Sequence, residues 1–456
     1  MKIVVCIRQG LDGEINPFDA CAYEAALQIP NSEITLLSMG PEKAKDFLHQ
    51  LTRRGAKNAV LLSDSAFAGA DTLATAYALS LAIKKISPDL IICGRQTLVG
   101  DTAQVGPMLS VMCDCSLITN VMEIVGVDTS VKCITRAIGE ESADLPALIT
   151  VERINNLRLP SIRSKMGEIS VWSADDIGAD KSRCGLIGSP TRVLKTYENS
   201  QGKRKCKFIT MDELDSVVKS ALNNSATKQS ETTNNGERLE NVVIVGESPR
   251  EFAQTVSDNI TVIEKDSEQN IIDYIVKFTP QAVLWGSDII SKRMASRVAA
   301  ALNLGLCADC TVLSADGGKL IMFRPALSGS IIAKIESLTY PAMATVRTKD
   351  SLVKDVFVCV GFGAKDNLEW VNDLAKKYDA ELASTRKSVD NGIMPYSTQV
   401  GLTGRSVAPP VYIAVGVSGA VHHIVGMQSS GTVIAINPDK KADIFDYADY
   451  GIIAEI

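Results

Sequence analysis

PDLIICGRQTLVGDTAQVGPMLSVMCDCSLIT, residues 88–119, lines up without a gap on PQAVLWGSDIISKRMASRVAAALNLGLCADCT, residues 280–311. In both stretches a β-rich apolar run ends at a glycine, Gly94 or Gly286, and a polar loop, a helical segment and a small-residue turn follow. The likeness continues downstream, where LPALITVER from Leu145 resembles YPAMATVRT from Tyr340. Strand-glycine-helix units recur in all α/β folds, but two matches in the same order point to an internal duplication. Lys292-Arg293 of the second copy stand where the first has Gly100-Asp101. The second copy is therefore expected to be scaffold that has lost its ligand, unless those two bases hold a phosphate.

Outward from the first copy, KIVVCI, EITLLSM, AVLLSD and LIICG read as strands, with helices expected at 19–29, 41–54, 71–86 and 102–112. Near-continuous Val/Ile/Leu strands alternating with helices predict a parallel sheet covered on both faces. LNNSATKQSETTNNGERLEN, residues 222–241, holds almost no apolar residue and reads as a linker. A third α/β unit starts near Asp355, with VFVCVG, ELAST, VYIAVG, TVIAIN and YGIIAEI as short strands. The expected organisation is thus 1–221, a linker at 222–241, then 242–350 and 351–456.

Composition narrows the function. With 46% hydrophobic and 22% charged residues among 456, the chain has the make-up of a globular protein. A net charge of −6 without a basic block argues against nucleic acid or an anionic membrane surface as partner. MKIVVCIRQG is too short for a signal-peptide core, and no run of 18 apolar residues occurs, so a cytoplasmic protein without membrane insertion is expected. The eleven cysteines are odd in number and scattered, which favours reduced thiols. Cys307 and Cys310 form a lone C-x-x-C without histidines at ligand spacing, read as buried packing and not as a metal site.

In open parallel sheets ligands sit outside the carboxyl ends of the strands. In the last unit Gly361-x-Gly363 follows the first strand, Thr385-Arg386 the second, Gly416-x-Ser418-Gly419 the third and Asn437 the fourth. The Gly-x-Ser-Gly turn lets backbone approach a ligand, and the helix after it offers unpaired N–H groups suited to phosphate. Gly361-Phe-Gly363 lacks the third glycine and downstream acid of a dinucleotide fingerprint, so it is not read as an NAD site. His422 and His423 lie about 100° apart on that helix, so at most one faces a ligand.

TRKSVDNGIMPYSTQVGLTGRSVAPPVYIAVGVSGAVHHIVGMQSSGTVIAINPDKKADIFDYADYGI, from Thr385, resembles the flavin-binding domain of the large (alpha) subunit of electron-transfer flavoproteins. The first half is similar to the small (beta) subunit through INPFDACAYEAAL, LLSDSAFAGADTLATAYALS and LIICGRQTLVGDTAQVGP. The resemblance implies a beta–alpha fusion with an α/β fold in three domains. Two are related Rossmann-like adenine-nucleotide-binding domains, the second of them shortened at its start, and the third is a C-terminal doubly wound parallel-sheet domain for FAD. It implies an electron carrier between dehydrogenases and an acceptor, not a stand-alone enzyme.

Carried over by residue, Arg386 lies over the isoalloxazine ring, with Thr385 beside it at the rim. Thr403 bonds flavin N5, and His423 reaches flavin O2. Gln399 is near the cofactor chain, Ser418 with Gly416 and Gly419 cradles the pyrophosphate, and Asn437 is on the adenosine side. A flavin that takes up an electron gains negative charge, for which a guanidinium that cannot lose its proton is a suitable neighbour. At ~4 Å and an effective dielectric near 20, that charge supplies about 4 kcal/mol before desolvation is subtracted.

The resemblance also implies a second nucleotide in the first half, near Asp71, Thr72, Gly100, Asp101, Thr102 and Gln104. In ordinary members it is AMP; in electron-bifurcating members it is a second FAD reduced by NADH. LSDSAFAGADTLAT looks like the bifurcating pattern, whereas Ser65 stands where that pattern has arginine. Leu402 and His422 replace two glutamines usual in the family. A third reading is a nucleotide-binding regulatory protein that has lost its redox role. NLRLPSIRSKMGE, residues 156–168, matches the partner-docking loop with Ile162 at its tip, which implies a flavin-containing dehydrogenase such as an acyl-CoA dehydrogenase as donor. The acceptor would be a quinone reductase or a ferredoxin-type protein.

Overall fold

A computed structural model of the chain describes residues 1–10, 13–136, 138–152, 156–198, 203–227, 236–327, 331–347, 354–401, 404–405, 407–428 and 430–456. They form two compact units: Met1–Thr196 with Asn234–Leu327 and Ala333–Thr348, and Tyr197–Thr233 with Ser328–Ile332 and Lys349–Ile456.

Both repeat copies lie in the first unit. The first copy builds a nine-stranded sheet in the order Gly139–Asp144, Ser130–Thr135, Ser116–Val127, Ala147–Val151, Leu90–Gly94, Lys2–Cys6, Glu33–Met39, Asn58–Leu62, Glu168–Trp172. The second builds five parallel strands: Leu306–Cys310, Ala342–Val346, Ala282–Trp285, Val242–Val245 and Ile260–Ile263. Those five match Ser116–Val127 through Glu33–Met39 in order and direction, so the duplication read from sequence is a duplication of topology. The register of one strand differs, since Leu117 pairs with Leu148 as Leu306 does with Met343, three residues from the ungapped alignment. Nothing in the second sheet corresponds to Asn58–Leu62, Glu168–Trp172, Ser130–Thr135 or Gly139–Asp144, which accounts for its five strands against nine.

The expected helices of the first copy are present at Pro17–Gln28, Ala44–Thr52, Thr72–Ile86 and Val105–Met112. Thr72–Ile86 shows why. Its Ala/Leu-rich interior favours helix, Asp71 caps its start, and Ser87, left-handed at φ 54 just before Pro88, ends it. Successive strand residues pack on opposite faces: Val4 joins the cluster that includes Leu79 and Leu109, while Ile3 and Val5 join the one around Tyr23 and Leu48. The first of these clusters also contains Trp285, Met294, Val298 and Met343, so one core spans both copies.

In the second unit a six-stranded parallel sheet runs Lys207–Phe208, Tyr450–Ile452, Thr432–Ile436, Val411–Val415, Val356–Val360, Glu381–Ser384. Val356, Val358 and Val360 pack on one face with Val371 of helix Leu368–Lys377, and Phe357 and Cys359 pack on the other with Ile424 and Met427 of helix Val421–Met427. The sheet is doubly wound, as its sequence implied.

The structure draws the chain's joints differently from the composition. The helix Leu214–Thr227 covers the first six positions of the expected linker, and Leu239 near its end is 3% exposed and donates to Val256 O at 2.8 Å. Leu214, Val218 and Ala221 of that helix are buried against the second unit's sheet. Residues 203–221, expected from sequence as the last part of the first domain, form an arm that belongs to the second unit. Arg204 there donates to the carbonyls of Gln428 (3.0 Å), Ser430 (2.7 Å) and Gly431 (2.9 Å).

Candidate functional site

Numbering only the five C-terminal strands, the sheet of the second unit has the order 2-1-3-4-5, which reverses between Val356–Val360 and Val411–Val415. Such a switch point opens a crevice at the strand ends. The two glycine loops follow those two strands and meet there: Gly361 N–H donates to Val415 O at 2.7 Å and Gly363 N–H to Gly416 O at 3.1 Å. Gly416 has φ 62, and a Cβ on it would lie 2.5 Å from Ala364 N, so no side chain is tolerated. Ser418 is exposed at the lip of the turn. Asn437, 6% exposed, braces the turn from below by donating to Val417 O at 2.8 Å. Its carbonyl accepts from Asp439 N–H at 2.9 Å, so both ends of the Asn437 side chain are engaged within the rim and none is turned toward a ligand.

Thr385 caps the short helix Arg386–Asp390 and presents Arg386 at the end of Glu381–Ser384. The guanidinium is half-exposed, with an i,i+4 ion pair to Asp390 at 3.1 Å, a weak tie that leaves it able to face a ligand. Gln399 is 1% exposed, and its backbone closes the next loop by accepting from Arg405 N–H at 2.8 Å. Thr403, with Leu402, lies outside the described residues.

His423 departs from the sequence expectation. It is 5% exposed, and its Nδ1 donates to Val400 O at 3.0 Å. A carbonyl only accepts, so Nδ1 carries the proton, and Nε2 receives the Tyr412 hydroxyl at 3.2 Å with Cys359 Sγ at 3.7 Å. Burial pushes the imidazole down to about 4 and the Cys359 thiol up to about 12. Both ring nitrogens are engaged within the core. The His423 ring thus faces the core and not a ligand. The helix Val421–Met427 is only seven residues long, so the cradle depends on close backbone approach more than on a dipole. Glycine turns that admit no Cβ, an exposed hydroxyl and a half-exposed guanidinium together fit a phosphate-bearing cofactor.

The first copy has its own rim. Its loop Arg95–Gln104 is pinned by Asn16, which donates to Gln96 O at 2.9 Å and accepts from Leu98 N–H at 3.3 Å. Gln96 Nε2 donates to Asp101 Oδ1 at 2.6 Å, and Gly100, Asp101 and Thr102 are half-buried along the lip. Asp71, Thr72 and Gln104 serve the frame. The Asp71 carboxylate accepts from Leu73 and Ala74 N–H, both at 3.0 Å, and from the Thr191 hydroxyl at 2.7 Å; Thr72 donates to Gln104 at 2.7 Å. Burial raises Asp71 above the ordinary carboxylate value despite those donors.

Sequence reasoning missed Arg8, Asn16 and Asp19. They follow the strand Lys2–Cys6, whose carboxyl end could have been searched by the same rule as the others. Asp19, 5% exposed under Gly94, accepts from Arg8 N–H at 2.8 Å, and burial pushes it up to about 7.

The second copy's rim is closed. Its helix Ile289–Leu302 is capped by Asp288, which accepts from Ser291 N–H at 2.9 Å and pairs with Lys265 at 3.1 Å. Lys292 is bonded to Asp309 at 3.4 Å and Arg293 to Glu141 at 3.6 Å, so the two bases hold protein carboxylates, not a phosphate. Cys307 and Cys310 are 3% and 0% exposed within the core. Among the described residues no helix is long and apolar enough to cross a membrane.

Parallel sheets with glycine turns at a switch point define a multidomain α/β protein of the kind that holds nucleotide cofactors at its strand ends. Comparison with known proteins carries this further. The electron transfer flavoprotein domain matches residues 3–177 and 264–352, and the electron transfer flavoprotein FAD-binding domain matches residues 353–428. Protein FixA of Azorhizobium caulinodans is 40% identical over 227 residues, 45% of this chain and 81% of its own length. The electron transfer flavoprotein subunit beta of Thermoanaerobacterium thermosaccharolyticum is 41% identical over 203 residues, 42% of this chain and 78% of its own. That of Megasphaera elsdenii is 42% identical over 216 residues, 43% and 79%. The chain belongs to the electron transfer flavoprotein family. A beta-like part followed by an FAD-binding domain is the order of a beta–alpha fusion, and its role is electron transfer.

Proposed function

We propose that the chain carries electrons through FAD held at the switch point of the C-terminal sheet, with a second adenine nucleotide on the first copy's rim. The observation that carries this reading is the pair of glycine turns, Gly361–Gly363 and Gly416–Gly419, closed backbone to backbone at the strand ends. FAD supplies the redox chemistry. The protein's part is to hold the phosphates against the Gly416–Gly419 backbone and Ser418, and to set the Arg386 charge beside the ring, where it favours the reduced cofactor. The second nucleotide, FAD or AMP, is supported by the contrast between helix starts: Asp288 fills one with its own carboxylate, whereas Val105–Met112 begins at Gln104 without a side-chain cap.

The donor is a flavin-containing dehydrogenase that docks on the loop tipped by Ile162. That residue is 99% exposed and Leu159 is 85% exposed, while Arg158 anchors the loop's base to Glu24 at 2.6 Å.

Extraction of the purified full chain tests the reading. One FAD plus one AMP per chain is the expected outcome for a plain carrier, and two FAD with bleaching by NADH for a bifurcating one; a chain that neither contains nor takes up FAD overturns both. Arg386→Ala is expected to lower the flavin potential by on the order of 0.1 V, and an unchanged redox titration removes Arg386 from that role.

A further inference from the structure

The loop Arg95–Gln104 holds two non-glycine residues in the left-handed region, Asp101 at φ 50 and Ala103 at φ 56. Aspartate enters that region more readily than most L-residues, whereas an alanine there needs its surroundings to hold it. Part of the enforcement is local, through Asp101 N–H to Thr97 O at 2.8 Å and Gln96 to the Asp101 carboxylate at 2.6 Å. The rest comes from the second copy. Arg324, 6% exposed on the strand Lys319–Ala326, donates through Nη2 to the carbonyls of both Gly100 (2.9 Å) and Asp101 (3.1 Å). Gln104 Nε2 adds a bond to Leu306 O at 3.2 Å. A planar trans peptide sets each carbonyl opposite the next N–H, so turning the Asp101 carbonyl onto Arg324 turns the Thr102 N–H away from it. The guanidinium also places fixed positive charge behind a loop that would receive an anion.

We infer that Arg324 is a positioning residue for the first copy's nucleotide site: the second copy, its own helix start closed by Asp288, lends a guanidinium that holds the Gly100–Thr102 backbone in its phosphate-receiving form. This rests on the reading that the loop binds an adenine nucleotide. It gives the duplicated copy a task without giving it a ligand.

Equilibrium dialysis of radiolabelled AMP against the full chain, stripped of bound nucleotide, tests it. Arg324→Ala is expected to weaken AMP binding roughly ten- to a hundredfold, the range for losing hydrogen bonds to a charged donor. Arg324→Lys keeps the charge but not the planar fork, and is expected to fall between Ala and wild type. Unchanged affinity in the Ala variant overturns the inference, and if that variant does not fold, wild-type affinity in Arg324→Lys does so. Equal losses in Ala and Lys, tracking a lowered melting temperature, mark Arg324 as packing and also overturn it. A wild-type chain that binds no AMP and holds no second FAD overturns the nucleotide reading itself and this inference with it.

Discussion

The two copies in the first unit present the same backbone at their strand ends and opposite charges on it. Asn120 and Asp309 are both left-handed, at φ 58 and 59, and each gives its N–H to a threonine hydroxyl, Thr150 at 3.1 Å or Thr345 at 2.8 Å. One step past the matching strands Ala147–Val151 and Ala342–Val346 stand Glu152 and Arg347. In the first copy Glu152 is the central carboxylate, held by Asn120 (2.9 Å), Arg95 (3.1 Å) and Arg136 (3.7 Å). In the second copy Asp309 is central, held by Arg347 and by Lys292 at 3.4 Å. A duplicated scaffold can exchange its charges as long as each buried one meets its opposite. At one helix start of the second copy, a carboxylate of the protein, Asp288, takes the Ser291 N–H that an anion would otherwise use.

The comparison breaks most visibly if either central carboxylate is removed. Asp309→Ala strands two cations and is expected to cost about 3–5 kcal/mol in the first unit's denaturant transition, with Glu152→Ala costing a similar amount. A loss under 1 kcal/mol in either would show that the two clusters are not equivalent.

Acid titration sharpens the contrast. Burial opposes charge on Asp309, yet Lys292 and Arg347 hold it well below the usual carboxylate range. Its folded value is depressed, so its contribution is present above about pH 4, the unfolded value, and is lost as pH falls below it. Asp19 has the opposite sign, because burial raises it to about 7. Its contribution is full below about pH 4 and is lost as pH rises from there through 7, a change of up to about 4 kcal/mol. Asp19→Asn should flatten that part of the stability profile, and a profile identical to wild type would remove Asp19 as its source.

The smallest effect is expected at the closed helix start. Asp288→Ala removes a cap worth about 1 kcal/mol. If that carboxylate stands in for an anion, added phosphate should raise the melting temperature of this variant more than that of wild type. Equal shifts would mean that the second copy has no latent anion site.

Legibility followed the range of the interaction. Strands such as LIICG and VYIAV, and helices with a local cap such as Asp71, could be read because periodicity and capping are local. The alignment of 88–119 on 280–311 made the duplication visible before any coordinates. The hairpin strands Ser130–Thr135 and Gly139–Asp144 went unread, since GEESAD has the polarity of a loop and becomes strand only by pairing with its neighbour. The arm's destination was equally hidden, because the two residues Lys207–Phe208 carry no sign of which sheet edge they join. At the sites, glycine turns were legible from type and spacing. The inward turn of His423 was not: it depends on Val400 and Tyr412, which only the fold brings to the ring. Arg324 gave no signal, as it acts on a loop of the other copy.

Lys207 and Phe208 pair with Tyr450 and Gly451, and Arg204 is fastened to carbonyls beyond Met427. Peptide continuity between Thr227 and Gly236 is therefore not what keeps the arm on its sheet. A ribosome that stopped after the first residue and restarted before the second would release two products able to interlock through these same bonds. What a single reading frame adds is equal supply: neither product is ever made without its mate, and no orphan subunit waits with a bare sheet edge.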